Sequence, residues 1–342
     1  MRAARLLLAL AMWLALGLAP MAAARQPGLV RLRAVIDGKA ETRLRWAPPA
    51  LVNPITRRVS GTPAVQSLAA NQDYIIICDT PITGELTILN GRNIVLIGCT
   101  INGRLNAKFF SGVFHAEGLL IRPPVNTDGV GWGATGTPTG VMRLQNVRME
   151  GLQGCNNTGA GCNHSDCFQP HGDVAGIQVD RLTCYNNYQG FIVAPQGARG
   201  FSDIRRFNYV DAGPANSDGG NPSTGAWFSD TDQSGGTGQK PYFIACFHCY
   251  VRPRVASQFW YKGTYPFPRT AFSVGGTAIR VIENADGSVC YGQPLQIRGI
   301  VARDGTCRVI IPGDPPGGDF VPLSVVTNYV SPGYMGPSRL TP

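Results

Sequence analysis

Apolar side chains recur along the middle of the chain in one eight-position pattern: apolar, any, apolar, any, any, apolar, any, apolar. Ile94, Leu96, Cys99 and Ile101 fill it, and Phe114, Ala116, Leu119 and Ile121 fill it again. Met142, Leu144, Val147 and Met149 follow, then Ile177, Val179, Leu182 and Cys184. Tyr242, Ile244, Phe247 and Cys249 read as a further match. Ser202, Ile204, Phe207 and Tyr209 fit more loosely, as do Ile75, Ile77, Thr80 and Ile82. Each alternating pair is the mark of a short strand with one buried face. The extra position between the pairs acts as a corner that resets the alternation. The matches start at 75, 94, 114, 142, 177, 202 and 242, with tightest spacings of 19 and 20, and the longer intervals hold inserted loops. No such unit can bury its apolar side chains alone, so the pattern predicts coils stacked over one continuous interior. Helical periodicity is scarce, and 43 Gly and 26 Pro punctuate the chain. A sandwich of antiparallel hairpins is the rival, since Asn90-Gly91 and Asn102-Gly103 suit two-residue turns. The recurring template favours coils.

Segments such as RNIVLIGCTING (92–103) and AGIQVDRLTCYNNYQGFIV (175–193) resemble coils of right-handed parallel β-helix proteins. That is the fold of pectate lyases, polygalacturonases and alginate-type lyases. The resemblance covers roughly residues 71–250. It implies an all-β fold: a right-handed parallel β-helix, a single-stranded solenoid with irregular N- and C-terminal caps. On this reading residues 26–70 cap the N-terminal end and 71–252 form the helix. Residues 253–342 are further coils or a C-terminal β extension. The resemblance speaks for fold far more than for activity, because one fold hosts many functions.

Residues 1–25 combine Arg2 and Arg5, an apolar run and a small-residue end at Ala22-Ala23-Ala24, which predicts a secretory signal peptide. No later segment is long and apolar enough to cross a bilayer, so no transmembrane segment is expected after its removal. Secreted or periplasmic localisation agrees with ten Cys, an even number that predicts disulfides. Cys155 and Cys162 bracket a short loop that they are expected to close, and Cys290 and Cys307 are expected to close a hairpin. The formal net charge of +9 falls by three when Arg2, Arg5 and Arg25 leave with the signal peptide. A basic exported protein suits an acidic polysaccharide as partner. Nucleic acid is not expected, because no Lys/Arg-rich run is interleaved with aromatics.

The stretch NHSDCFQPHGD, residues 163–173, holds two of the four His of the chain together with two Asp. Matching Phe168 to Phe191, 23 residues on, lays Asp166 over Gln189 and His164 over Asn187. These four are expected on adjacent coils in one exposed groove. Long insertions at 122–141, 150–163 and 210–241 are placed to wall it. The catalytic candidates are His164, Asp166, His171 and Asp173; the substrate-binding candidates are Asn187, Gln189, Gln169 and Trp227.

A uronate lyase needs a base for the proton next to the carboxylate, plus positive charge on the developing enolate. His164 is the leading base and Asp166 its partner. Arg181, Arg199, Arg205 and Arg206 are candidates for the charge, and calcium is the one cofactor the resemblance raises. A hydrolase needs two carboxyls instead, for which Asp128, Asp166 and Asp173 are available. Asn126-Thr127-Asp128-Gly129 resembles the first polygalacturonase motif. The others depart from that family, with His164-Ser165-Asp166 in place of a paired Asp and His171-Gly172-Asp173 in place of Gly-His-Gly. The expectation is therefore a polysaccharide-active enzyme, lyase before hydrolase. An epimerase sharing the same proton abstraction, and a non-catalytic carbohydrate-binding or surface-scaffold protein, are the alternatives. A polar turn without chemistry competes for the whole cluster, and His115 and His248 read as structural or surface residues.

Overall fold

The computed structural model describes residues 41–132, 139–155, 163, 165–170, 174–187, 190–191, 201–211, 243–252, 272–274, 277–283, 289–292 and 310–335. The strands run, in chain order, β1 (Ile55–Gly61), β2 (Gln66–Ser67), β3 (Tyr74–Thr83), β4 (Leu86–Leu89), β5 (Ile94–Ile97), β6 (Thr100–Asn102) and β7 (Leu105–Lys108). Then come β8 (Val113–Ile121), β9 (Val130–Trp132), β10 (Thr139–Leu152), β11 (Asp166–Pro170), β12 (Val174–Asn186), β13 (Gly190–Phe191) and β14 (Phe201–Asp211). The last are β15 (Phe243–Arg252), β16 (Phe272–Val274), β17 (Thr277–Glu283), β18 (Val289–Gly292) and β19 (Ile310–Pro312), followed by one short helix, α1 (Leu323–Val326).

The described residues are nearly all β, and their two large sheets are parallel. The ten-stranded sheet has the order β1-β3-β5-β8-β10-β12-β14-β15-β19, with β6 between β3 and β8. The six-stranded sheet has the order β13-β11-β9-β7-β4-β2. From β8 to β14 the chain alternates strictly between the two. Inward side chains of both sheets make one core, from Val59 to Cys249. Aromatic contacts tie its two walls: Phe110 lies 5.5 Å from Phe114 and 6.2 Å from Trp132, and Trp132 lies 5.9 Å from Phe168.

The eight-position template has a simple physical origin. Its apolar positions are buried in four successive coils, from Ile94 to Cys184. Its corner is a single left-handed residue: Gly98, Gly118, Asn146, Arg181, Arg206 and His248 all have positive φ. One residue in that conformation turns the strand and shifts the alternation, so both halves keep an apolar side inward.

Two template matches are corrected. In β3, Tyr74 and Ile76 are buried, not Ile75 and Ile77, and Tyr74 pairs with Ile94. The run YIIIC is apolar on both parities, so a one-residue slip leaves no trace in the sequence. In β15, Ile244 pairs with Ser202 and Cys249 with Phe207, which moves the match two residues downstream of Tyr242. The stack also begins earlier than expected, because β1 pairs in parallel with β3 inside the segment read as a cap. In the C-terminal segment β19 adds a parallel strand to β15, whereas β16, β17 and β18 form a separate antiparallel sheet.

Disulfides join Cys78 to Cys99 and Cys167 to Cys184. The first links neighbouring coils and the second crosses the interior between the two sheets, as an oxidising compartment permits. Cys155 is also disulfide-bonded. The expected partners Cys162 and Cys307 lie outside the described residues. Among the described residues no helix is long and apolar enough to cross a membrane.

Candidate functional site

The six-stranded sheet turns one row of side chains inward and the next outward. Leu86, Leu105, Val130 and Phe168 share one register position, and Phe191 continues it. One residue further on, Thr87, Asn106, Gly131 and Gln169 form the outward row. The turns entering these strands carry Glu85, Arg104, Asp128 and Asp166 in successive coils. This geometry collects ionisable groups at one edge of the sheet.

Charge alternates along that edge. Arg104 contacts Glu85 at 2.6 Å and approaches Asp128 at 3.6 Å. Asn106 donates from Nδ2 to Glu85 at 2.9 Å. Asp128 accepts the Asp166 backbone N–H at 3.0 Å, and the Gly129 N–H donates to the Asp166 carbonyl at 2.8 Å. Position 129 must be glycine: a Cβ there would lie 2.8 Å from the Cys167 carbonyl and 2.9 Å from the Met149 sulfur.

Asp166 is fully buried, and neither carboxyl oxygen receives a hydrogen bond of normal geometry. The Gly190 amide lies near enough to favour the anion electrostatically, but burial and then the neighbouring Asp128 outweigh it. Together they push the Asp166 carboxyl well above the usual range, which favours its protonated form. Beside it, Asp128 faces the guanidinium of Arg104. The site thus sets a buried carboxyl with a raised pKa next to Asp128, which has a cationic neighbour in Arg104. That combination can supply and accept a proton.

Several sequence expectations change. Phe168 does pair with Phe191, but a register shift places Asp166 beside Gly190 rather than Gln189. Asp166 and Asn187 are buried, not exposed in a groove. Asn187 accepts the Gly154 N–H at 2.9 Å, and Asn186 donates to the Ser165 carbonyl at 3.0 Å, so this pair fastens the turns between β10 and β11. Gln169 is half-buried on the outward row. His164, His171, Asp173, Gln189, Trp227 and Arg199 lie outside the described residues. The other Arg candidates are engaged elsewhere: Arg181 donates to the Phe320 carbonyl, Arg205 pairs with Asp203, and Arg206 pairs with buried Asp180. Arg104 takes the place expected of them. It stands one residue before Leu105, as Glu85 stands before Leu86, so aligning those two coils would have found it.

The described residues do not fit calcium. Among them no three His, Cys, Asp or Glu side chains converge as a metal site. Calcium takes six to eight oxygens, and here Asp166 has a raised pKa while Asp128 faces a guanidinium. His115 is buried and structural, as expected. No protein-family profile matches the chain, and neither a curated protein nor a solved structure does.

Proposed function

We propose that the chain is an exported parallel β-helix protein that cleaves an acidic polysaccharide laid across the outer face of the six-stranded sheet. The disulfides support export, and the two parallel sheets with their left-handed corners support the β-helix. The observation that carries the functional reading is the pairing of Asp166, with its raised pKa, and Asp128 beside Arg104. A partly exposed Arg gives an acidic sugar a counter-charge, and half-buried Gln169 offers hydrogen bonds on the outward row. Glycoside hydrolysis uses two carboxyls with different pKa values, one as acid and the other as base or nucleophile. These two carboxyls suit hydrolysis, while His164, the leading base for elimination, lies outside the described residues.

A second reading, binding without cleavage, is favoured by the complete burial of Asp166. Incubation with a panel of acidic polysaccharides separates the two. Reducing ends without unsaturated products identify a hydrolase, and both together identify a lyase. Binding with neither product leaves a carbohydrate-binding protein or an epimerase. Neither binding nor product on any acidic polymer refutes both readings.

A further inference from the structure

The outer face of the ten-stranded sheet is crossed by two segments from opposite ends of the described chain, residues 42–47 and 319–335. They are joined to each other. Leu44 bridges Tyr334 in parallel, the Leu44 N–H donating to Gly333 at 2.8 Å and the Met335 N–H to Leu44 at 2.7 Å. Side chains of the sheet grip the first segment by its backbone. Gln145 accepts from the Trp46 N–H at 2.9 Å and donates to the Trp46 carbonyl at 2.7 Å. Asp180 accepts the Arg45 N–H at 2.7 Å. The second segment is held at Asp319, which accepts from Arg148 at 2.9 Å, Tyr185 at 2.6 Å and Asn208 at 3.0 Å.

Its other anchor is Glu117, fully buried on β8. The Tyr329 hydroxyl donates to Oε1 at 2.7 Å, and the Tyr334 hydroxyl donates to Oε2 at 2.9 Å. His115 Nε2 meets Oε2 at 2.8 Å, and the Ser331 hydroxyl also serves this carboxylate. One carboxylate on the sheet thus gathers three hydroxyls from the C-terminal segment. We propose that the two segments form a clasp that Glu117 and His115 make acid-sensitive: closed near neutral pH, and released from the sheet as the pH falls.

The chemistry follows from what surrounds these two groups. On β10, Asn146 donates to the Tyr329 hydroxyl at 3.0 Å, and Arg143 repels a second proton on His115. Arg181 of β12 lies near Tyr329. With Nε2–H directed at Glu117, the His115 Nδ1 is buried without a partner. A proton added there finds no acceptor. Burial therefore holds the imidazole below its usual pKa, with Glu117 opposing only in part. For Glu117 burial acts upward, but the hydrogen bonds from His115, Ser331, Tyr329 and Tyr334 prevail and hold its carboxyl below the ordinary range.

Both groups thus bind protons more readily when the clasp is open, so opening takes up protons. The closed form loses ground below about pH 6.5, where a free His charges, and again below about pH 4.3, where a free Glu does. The phenols do not interfere. Burial pushes the Tyr334 hydroxyl up to about 12 and the Tyr329 hydroxyl higher still, so both remain donors.

Hydrogen exchange of the full chain tests this, with rates corrected for the pH dependence of chemical exchange. Between about pH 7.5 and 5, protection at Leu44 and Met335 should fall by up to about tenfold per pH unit below 6.5, while amides of β10 and β12 stay protected. Constant protection overturns the proposal. So does a fall in which the sheet amides follow in step, because that is global unfolding. His115→Gln keeps a donor toward Glu117 but does not titrate, and should flatten the fall above pH 5. A profile matching the unsubstituted protein overturns the role of His115. Glu117→Gln should leave the clasp amides poorly protected at every pH, and unchanged protection overturns the role of Glu117. Should that variant not fold, Tyr334→Phe removes one donor from the same carboxylate. It should lower clasp protection at neutral pH and leave β10 unaffected; full retention overturns the anchor.

Discussion

The protonation state of Asp166 can be read from stability alone, without knowing the substrate. The perturbation is Asp166→Asn, which keeps the side-chain shape and removes its titration. In the unfolded chain this carboxyl ionises near pH 3.9. In the folded chain burial and Asp128 raise its pKa. Between those two values the folded protein holds a proton that the unfolded chain has lost. Stability of the unsubstituted protein therefore falls as pH rises through that window, by about 1.4 kcal/mol per pH unit for one proton. The Asn variant lacks this contribution. It does bury an amide N–H₂ where no acceptor waits, a cost of about 1–3 kcal/mol that is independent of pH. The variant-minus-parent difference in urea unfolding free energy should thus climb at about 1.4 kcal/mol per pH unit from about pH 4 and then level off. The levelling point reports the folded pKa. A difference that is flat with pH, or that declines, would refute the assignment of Asp166 as a neutral acid. It would also remove the proton donor from the proposed chemistry.

The corrected register of β3 predicts that Ile76→Ala, at a buried position, costs about 2–5 kcal/mol in urea unfolding; half-exposed Ile77→Ala should cost clearly less, and equal losses would show the parity wrong. Replacing Cys78 and Cys99 together by Ala should cost about 3 kcal/mol by the same measurement, for a bridge spanning 21 residues. Arg104→Ala should weaken binding of whichever acidic polysaccharide the panel identifies. That loss should shrink at high salt, where screening already weakens the contact in the parent, and salt-independent binding in both proteins would exclude a charge role.

Much of the fold was legible in the sequence because its determinant is local. A strand buries every second side chain, and a left-handed corner shifts that rhythm by one. The positions from Ile94 to Cys184 follow from those two facts, as does the match of Phe168 to Phe191. Legibility ended where the run was apolar on both parities, as around Ile75 and Ile76, or where a coil slipped by two, as near Tyr242. The site was legible only in part. Asp128 and Asp166 stood out as motif residues, but nothing in their order along the chain shows that one N–H of the second reaches the carboxylate of the first.

By itself the sequence determined the all-β repeat, the inward positions from Ile94 to Cys184, and Asp128 and Asp166 as candidate acids. Those properties depend on side-chain period and composition, which neighbours along the chain already express. The tertiary structure decided the rest: that Asp166 is buried with a raised pKa, that Arg104 rather than Arg181 or Arg206 faces Glu85 and Asp128, and that Tyr329 and Tyr334 close on Glu117 from 212 and 217 residues away. Burial and electrostatic pairing are properties of distance in space. Stacking coils brings together groups whose separation along the chain carries no sign of their contact.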